Sequence, residues 1–289
     1  MKAPDFAYER ADTLPLALAR LSELKDRARL LAGGQSLVPT LNLRLQSPEI
    51  VLDIGRIAEL RGIRVEGNAI RIGALTRHAD LLASELIKLS CPLLGMAAAH
   101  IAHPAIRNRG TIGGSLALGD PAAELPACVV ALDASIVAMS AGAERRIPAR
   151  SFYTGIYSNV LEPTEMIVAI EIPFLKQGER DGFLELSRRE GDYAMIGVAA
   201  RGAFAGGAFS SLSLAYFAAG DRPMLAKGAA AALIGKPPNF ANIDPAHIDA
   251  AVMALATDLP DFQDLQADAA VRRHLAGVLL RRVLPQLMA

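Results

Sequence analysis

The sequence predicts an α+β protein in two parts: a longer N-terminal part mixing short strands with helices, and a C-terminal part in which a set of strands precedes a set of helices. Three observations lead there. Short apolar runs such as Ala28–Ala32 have the length of buried strands and empty directly into glycines. Gly62–Gly73 alternates apolar and polar residues about Glu66-Gly67-Asn68, the pattern of a hairpin with one covered face. Lys176-Gln-Gly-Glu-Arg-Asp-Gly182 is polar and glycine-bearing, as a linker is, and the sequence changes character after it. With 289 residues and 52% hydrophobic composition, the chain can bury a sizeable core as one large or two modest domains.

Taken in order, Asp12 or Thr13 caps a helix that carries Leu14, Leu18 and Leu21 on one face and ends near Asp26. Ala28–Ala32 is a strand, Leu37–Arg44 a helical turn or two, and Ile50–Ile54 another strand. Thr76 caps the helix after the hairpin, and Pro92–Ala102 forms a helix of small residues suited to close packing. Asp120-Pro121 reads as an N-cap with proline at the first helical position, opening a helix over Ala122–Asp133. Strands at Ala134–Ser140, Arg145–Pro148 and Glu165–Ile172 complete the first part. In the second, strands fall at Phe183–Ser187, Tyr193–Phe204 and Phe209–Ala219, with Gly206-Gly207 turning between the last two. Helices follow at Arg222–Ile234, Ala246–Thr257 and Ala269–Met288.

Thirty basic and thirty acidic residues give a formal net charge of +0, and no block of like charge stands out. Nucleic acid and membrane surfaces are therefore poor partners. No apolar run is long enough to span a bilayer and Met1–Phe6 lacks the apolar core of a secretory signal, so the expected location is cytoplasmic. The two cysteines, Cys91 and Cys128, are far apart with no C-x-x-C, so the chain cannot by itself ligate an iron–sulfur cluster or build a cysteine-rich zinc site, and they read as buried thiols. His100 and His103 stand about one helical turn apart, but no nearby carboxylate completes a metal site. No paired carboxylates or Ser/His/Asp set points to chemistry performed by the chain's own side chains.

Two glycine stretches carry the functional signal. In Arg109-Gly-Thr-Ile-Gly-Gly-Ser115, Gly110, Gly113 and Gly114 allow positive φ and close approach to a ligand, with amides that suit an anion. Leu31-Ala-Gly-Gly-Gln-Ser36 is a second such turn, and the N-terminal amides of the following helix would face the same ligand. Neither is a P-loop or a G-x-G-x-x-G fingerprint. Taken alone, Gly33-Gly34 reads equally well as a tight strand-to-helix turn. Two separated glycine turns suit a long ligand with two phosphates. Arg107 and Arg109 flank the second turn and read as solvated more readily than as phosphate contacts. Glu124 has two readings, a carboxylate favoured by a helix N-terminus or an acceptor for the hydroxyls of a polyol.

Ala32-Gly-Gly-Gln-Ser36, Arg107-Asn-Arg-Gly-Thr-Ile-Gly-Gly-Ser115 followed by Asp120-Pro-Ala-Ala-Glu-Leu125, and Ser187-Arg-Arg-Glu-Gly-Asp-Tyr-Ala194 together resemble the FAD-binding medium subunit of the molybdenum hydroxylases, the family of aerobic carbon monoxide dehydrogenase and xanthine dehydrogenase. The resemblance runs the length of the chain in order. It implies an FAD-binding domain of the vanillyl-alcohol oxidase and p-cresol methylhydroxylase type over residues 1–176, with subdomains of about 1–57 and 58–176, and a C-terminal molybdenum-hydroxylase flavoprotein domain over 177–289. It also implies roles. Ala32, Gly33, Gly34, Gln35 and Ser36 would hold the FAD pyrophosphate together with Thr111, Ile112, Gly113, Gly114 and Ser115, through main-chain amides and the Ser36 and Thr111 hydroxyls. Glu124 would lie near the polyol chain, and Ile101 and Tyr193 near the flavin. Relatives often carry His where Gln35 stands and Asn or Asp where Ser115 stands, so the side-chain contacts at those two positions are not carried over. The implied function is electron transfer from a small [2Fe–2S] subunit, itself fed by a large molybdopterin subunit, to an external acceptor, in a dimer of heterotrimers. A self-contained FAD-dependent oxidase or dehydrogenase and a non-catalytic nucleotide-binding protein remain alternatives.

Overall fold

The computed structural model describes residues 2–206, 208–236 and 245–287. The chain opens with a small sheet of three parallel strands, β1 (Ala7–Arg10), β2 (Ala28–Leu31) and β3 (Ile50–Asp53), in the order β1-β3-β2. Helix α1 (Leu14–Leu24) covers it; Thr13 is its cap, accepting from Leu16 N at 3.4 Å, and Ala17, Leu18, Leu21 and Leu24 are its buried residues. Helix α2 (Leu37–Asn42) follows the first glycine turn directly.

The second unit is an antiparallel sheet built from β4 (Ile63–Glu66), β5 (Ala69–Gly73), β6 (Ser135–Met139), β7 (Glu144–Pro148) and, after a two-stranded ribbon of β8 (Tyr153–Gly155) and β9 (Ser158–Asn159), β10 (Met166–Pro173). Its order is β4-β5-β10-β6-β7, with β10 at the centre. Between β5 and β6 run six helices: α3 (His78–Ala83), α4 (Glu85–Ser90), α5 (Pro92–His100), α6 (Pro104–Arg107), α7 (Ile112–Leu118) and α8 (Glu124–Ala131). Every residue of α8 from Leu125 to Ala131 is buried, so this helix lies inside the molecule. Val137, Met166 and Val168 reach across to the first unit and share a core with Leu18, Leu21 and Leu52.

The C-terminal unit is an antiparallel sheet in the order β11 (Glu179–Leu186), β12 (Ile196–Ala205), β13 (Ala208–Phe217), β14 (Met224–Leu225). Helices α9 (Lys227–Leu233), α10 (Pro245–Asp258) and α11 (Ala269–Val283) pack on one face. Strand alternation divides the sheet between two cores. Ile196, Val198, Leu212, Leu214 and Tyr216 point to these helices, whereas Phe183, Ala199, Ala215 and Phe217 join the core of α5 and α8. A buried ion pair pins the junction: Arg201 donates to both Asp181 oxygens at 2.7 and 2.9 Å, and Asp181 also accepts from Leu93 N in α5 at 3.2 Å.

Several expectations are corrected. Thr76 caps no helix: it is buried, and its hydroxyl bonds to both the amide and the carbonyl of Gly62, tying the hairpin to α3. Asp120-Pro121 opens a turn, with Ala122 N bound to Asp120 Oδ1 at 2.9 Å, and the helix starts only at Glu124. The second half of the expected linker is strand β11, because Asp181 has its Arg201 partner there. Gly207 and Met288, the one in an expected turn and the other an expected helix end, lie outside the described residues. Both cysteines are buried free thiols. Among the described residues no helix is long and apolar enough to cross a membrane, and no group of His, Cys, Asp and Glu is placed to hold a metal.

Candidate functional site

The two glycine turns, more than seventy residues apart in sequence, meet in space. Gly33 lies so close to the second turn that an added Cβ would overlap the Arg109 carbonyl oxygen and come within 2.9 Å of Gly110 Cα. A Cβ on Gly114 would stand 3.9 Å from that of Ala32 and 2.9 Å from Thr111 Oγ1. Only backbone fits at this junction.

The turns differ in what their amides do. In the second, the glycines are helical or extended and none has positive φ. Thr111 caps α7, accepting from Gly114 N at 3.2 Å, and Ser115 N bonds to Thr111 O at 3.0 Å. Ile112 N bonds to Thr76 O and Gly113 N to Ala74 O, at 3.0 and 2.9 Å. Gly113 is a glycine because a Cβ there would press to 2.6 Å on that of Ala74. The close approach expected of these glycines is thus, at Gly113, to the protein's own backbone just past β5. In the first turn Gly34 is left-handed, φ +73°. The amides of Gly33, Gly34, Gln35, Ser36 and Leu37 meet no acceptor among the described residues, and the Gln35 side chain donates back to Gly33 O at 3.0 Å. A run of unspent, partly exposed N–H donors beside a glycine-lined wall fits a diphosphate. Thr111, with its oxygen already accepting, retains its O–H as a donor. His78 backs the second turn: it is buried, an added Cβ on Gly110 would meet its ring at 2.9 Å, and burial drives its pKa down to about 4.

A second group of residues lies beyond α7. Glu124, the first residue of α8, has its pKa pushed up to about 7 by burial first, with the Asp120 charge adding to it. A helix N-terminus alone would lower it, so burial wins. Partial burial, then the charges of Asp120 and Glu124, raise the Tyr193 phenol, which puts these three groups in one neighbourhood although Tyr193 is 67% exposed. Tyr157 donates to Asp120 Oδ2 at 3.5 Å. Glu185 completes the group. Its Oε2 is buried with no partner among the described residues, and burial, then the Glu124 charge, lift its pKa to about 8. No motif marks Glu185, although a carboxylate within Phe183-Leu-Glu-Leu186 is the kind of buried charge that asks for a reason.

Ile101, 8% exposed, terminates α5 on the same side. Gly191, two residues before Tyr193, rests on the Ala102 carbonyl, where a Cβ would stand at 2.9 Å. The far end of the Tyr193 loop is held by the buried Arg272, whose Nε donates to Met195 O at 3.0 Å while its guanidinium bonds Asp264 at 2.6 Å and lies over Phe262. Arg109 is exposed, whereas Arg107 is occupied with carbonyls of the Ile101 turn.

Residues 4–175 match the model of the FAD binding domain in molybdopterin dehydrogenase, and residues 182–287 that of the CO dehydrogenase flavoprotein C-terminal domain. The carbon monoxide dehydrogenase medium chain of Hydrogenophaga pseudoflava is 36% identical over 98% of this chain and 97% of its own. The 6-hydroxypseudooxynicotine dehydrogenase complex subunit alpha of Paenarthrobacter nicotinovorans is 49% identical over 69% of this chain and 67% of its own. A solved structure of carbon monoxide dehydrogenase from Hydrogenophaga pseudoflava superposes with a TM-score of 0.94 at 37% identity, covering 100% of this chain and 99% of the other. Quinoline 2-oxidoreductase from Pseudomonas putida 86 gives 0.91 at 33% identity over 99% and 98%. With both family models matched in sequence order and relatives aligned from end to end, the chain belongs to the FAD-binding medium subunits of the molybdopterin dehydrogenases.

Proposed function

We propose that this chain is the FAD-carrying electron-transfer subunit of a molybdenum hydroxylase, standing between a small [2Fe–2S] subunit, supplied by a large molybdopterin subunit, and an external acceptor. The observation that carries the reading is the meeting of two glycine turns, one of which offers consecutive unspent amides. Relatives named as medium chains of carbon monoxide dehydrogenase and as the medium subunit of nicotine 6-hydroxylase support a multi-subunit setting. The assembly is a cytoplasmic dimer of heterotrimers.

Residues 1–57 and 58–176 form the two subdomains of a vanillyl-alcohol oxidase type FAD domain, and residues 177–289 a flavoprotein C-terminal domain. Ala32 to Ser36 take the pyrophosphate on their amides and the Ser36 hydroxyl, against the turn of Thr111 to Ser115, where Gly113 and Gly114 carry no side chain and Thr111 donates its O–H. Glu124, partly protonated near neutrality, can both accept from and donate to the polyol hydroxyls. Ile101 and Tyr193 bound the flavin ring. Bound FAD supplies the redox chemistry, and the protein supplies anion binding, orientation and a dry wall.

Reconstitution tests this. The purified chain is expected to retain one FAD through gel filtration, to stay oxidised with small organic substrates, and to bleach when a reduced [2Fe–2S] partner is added. Failure to hold FAD sinks the reading, and bleaching by a substrate without a partner replaces it with a self-contained dehydrogenase.

A further inference from the structure

The two apolar walls assigned to the flavin ring come from distant parts of the sequence, and one side chain stands where they meet. Helix α5 ends at His100 with no backbone amide closing it, which leaves its last carbonyls without helical partners. Arg107, the last residue of α6, supplies what is missing. Its Nη1 donates to Ile101 O at 2.8 Å, to Ala102 O at 2.9 Å and, more weakly, to Ala99 O at 3.3 Å. A cation suits the negative end of a helix, and a guanidinium can serve several carbonyls at once. The half-buried Arg107 has no carboxylate in ion-pair range among the described residues, so the carbonyls are its partners.

The turn that it closes is costly. Ala102 has φ +40°, a region that residues other than glycine seldom occupy, and persists there because its surroundings hold it. The Ala102 carbonyl is also the surface on which Gly191 rests, itself left-handed at φ +82°, two residues before Tyr193. One oxygen therefore has Arg107 on one side and the Tyr193 loop on the other. Two and three residues beyond Arg107, Arg109 and Gly110 press against Gly33.

We propose that Arg107 is a positioning residue for the flavin: by holding the Ile101–Ala102 turn in its left-handed form it sets the spacing between Ile101 and Tyr193, the two sides of the isoalloxazine slot. The inference rests on the FAD reading above. It assigns Arg107 to the ring end of the ligand, where its position in the sequence reads as solvated more readily than as a phosphate contact.

The test compares wild type, R107K and R107M, each loaded with FAD. Arg107→Met keeps much of the length and loses the donors; Arg107→Lys keeps a cation with three donors. In R107M the fluorescence of bound flavin rises several-fold and its visible band moves toward that of free FAD, because the aromatic wall no longer lies against the ring. FAD retention falls by no more than about tenfold, since the phosphate end is untouched. R107K recovers most of the wild-type spectrum. Ile101→Ala guards against a folding artefact: it reproduces the spectral change, and R107M/I101A shows little beyond either single variant. Wild type holding quenched FAD while R107M gives an identical spectrum overturns the inference alone, as does full additivity in the double variant. Wild type that holds no FAD overturns the FAD reading itself.

Discussion

The two glycine turns look interchangeable as sequence and do opposite work in the structure. The second spends its amides within the protein, on the Thr111 cap, Thr76 and Ala74, and so becomes a rigid, glycine-lined floor. The first, leaving the end of the short strand β2, has five consecutive amides from Gly33 to Leu37 without acceptors among the described residues. A glycine-rich stretch thus announces close approach without saying to what: Gly113 approaches Ala74, and Gly33 approaches the other turn. Binding capacity lies with the donors left over after folding has taken its share.

The strongest way to break this division is Gly33→Ala. Its methyl would overlap the Arg109 carbonyl, backbone against backbone, and the turns must part. We expect FAD binding to weaken by about a hundredfold or more, roughly 3 kcal/mol, as for severe overpacking. Gly113→Ala should cost folding stability of similar size by chemical denaturation while changing FAD affinity per folded molecule far less. Equal loss of affinity in both variants would show that the second turn contributes as much to binding as the first.

Acidity sharpens the same comparison from the other end of the site. Glu124 and Glu185 have pKa values of about 7 and about 8, raised above the ordinary 4.5 by burial. The folded protein therefore binds more protons than the unfolded chain between about pH 4.5 and 8, and FAD-free protein loses stability as pH rises through that window. The expected loss is on the order of 1–3 kcal/mol, since both groups are partly accessible to water. Urea titrations of E124Q and E185Q should each show a flatter pH dependence than wild type; an unchanged slope would place the carboxylates in solvent.

The smallest effect is expected at Thr111. Thr111→Ala removes the cap on α7 at a cost of about 1 kcal/mol in stability. It also frees Gly114 N, and FAD binding should change by less than about tenfold. A larger drop would mean that the hydroxyl, and not the run of amides in the first turn, dominates the grip on the ligand.

Much of the fold was legible because strand length and alternation are local. Ile63–Glu66 with Ala69–Gly73, and the strands β12 and β13, fall close to where their apolar periodicity puts them. What escaped were features decided by distant partners. Thr76 carries the chemistry of a cap, but a buried hydroxyl beside the Gly62 backbone has a better use. Asp181 looks like linker until Arg201 arrives twenty residues later. At the site, the glycine turns, Glu124 and Tyr193 were visible, whereas Glu185, Arg272 and the carbonyl-bound Arg107 needed the third dimension.

The sheet of β11 to β14 is greasy on both sides, and Phe183 and Phe217 stack in the core that belongs to α5 and α8. Two family signatures therefore share one hydrophobic interior. Severing the polypeptide near Lys176 would strip the lid from that interior, so the N-terminal portion would emerge sticky and the C-terminal portion half-wrapped. Evolution could exchange such portions between relatives only together with the aromatic residues that seal the seam.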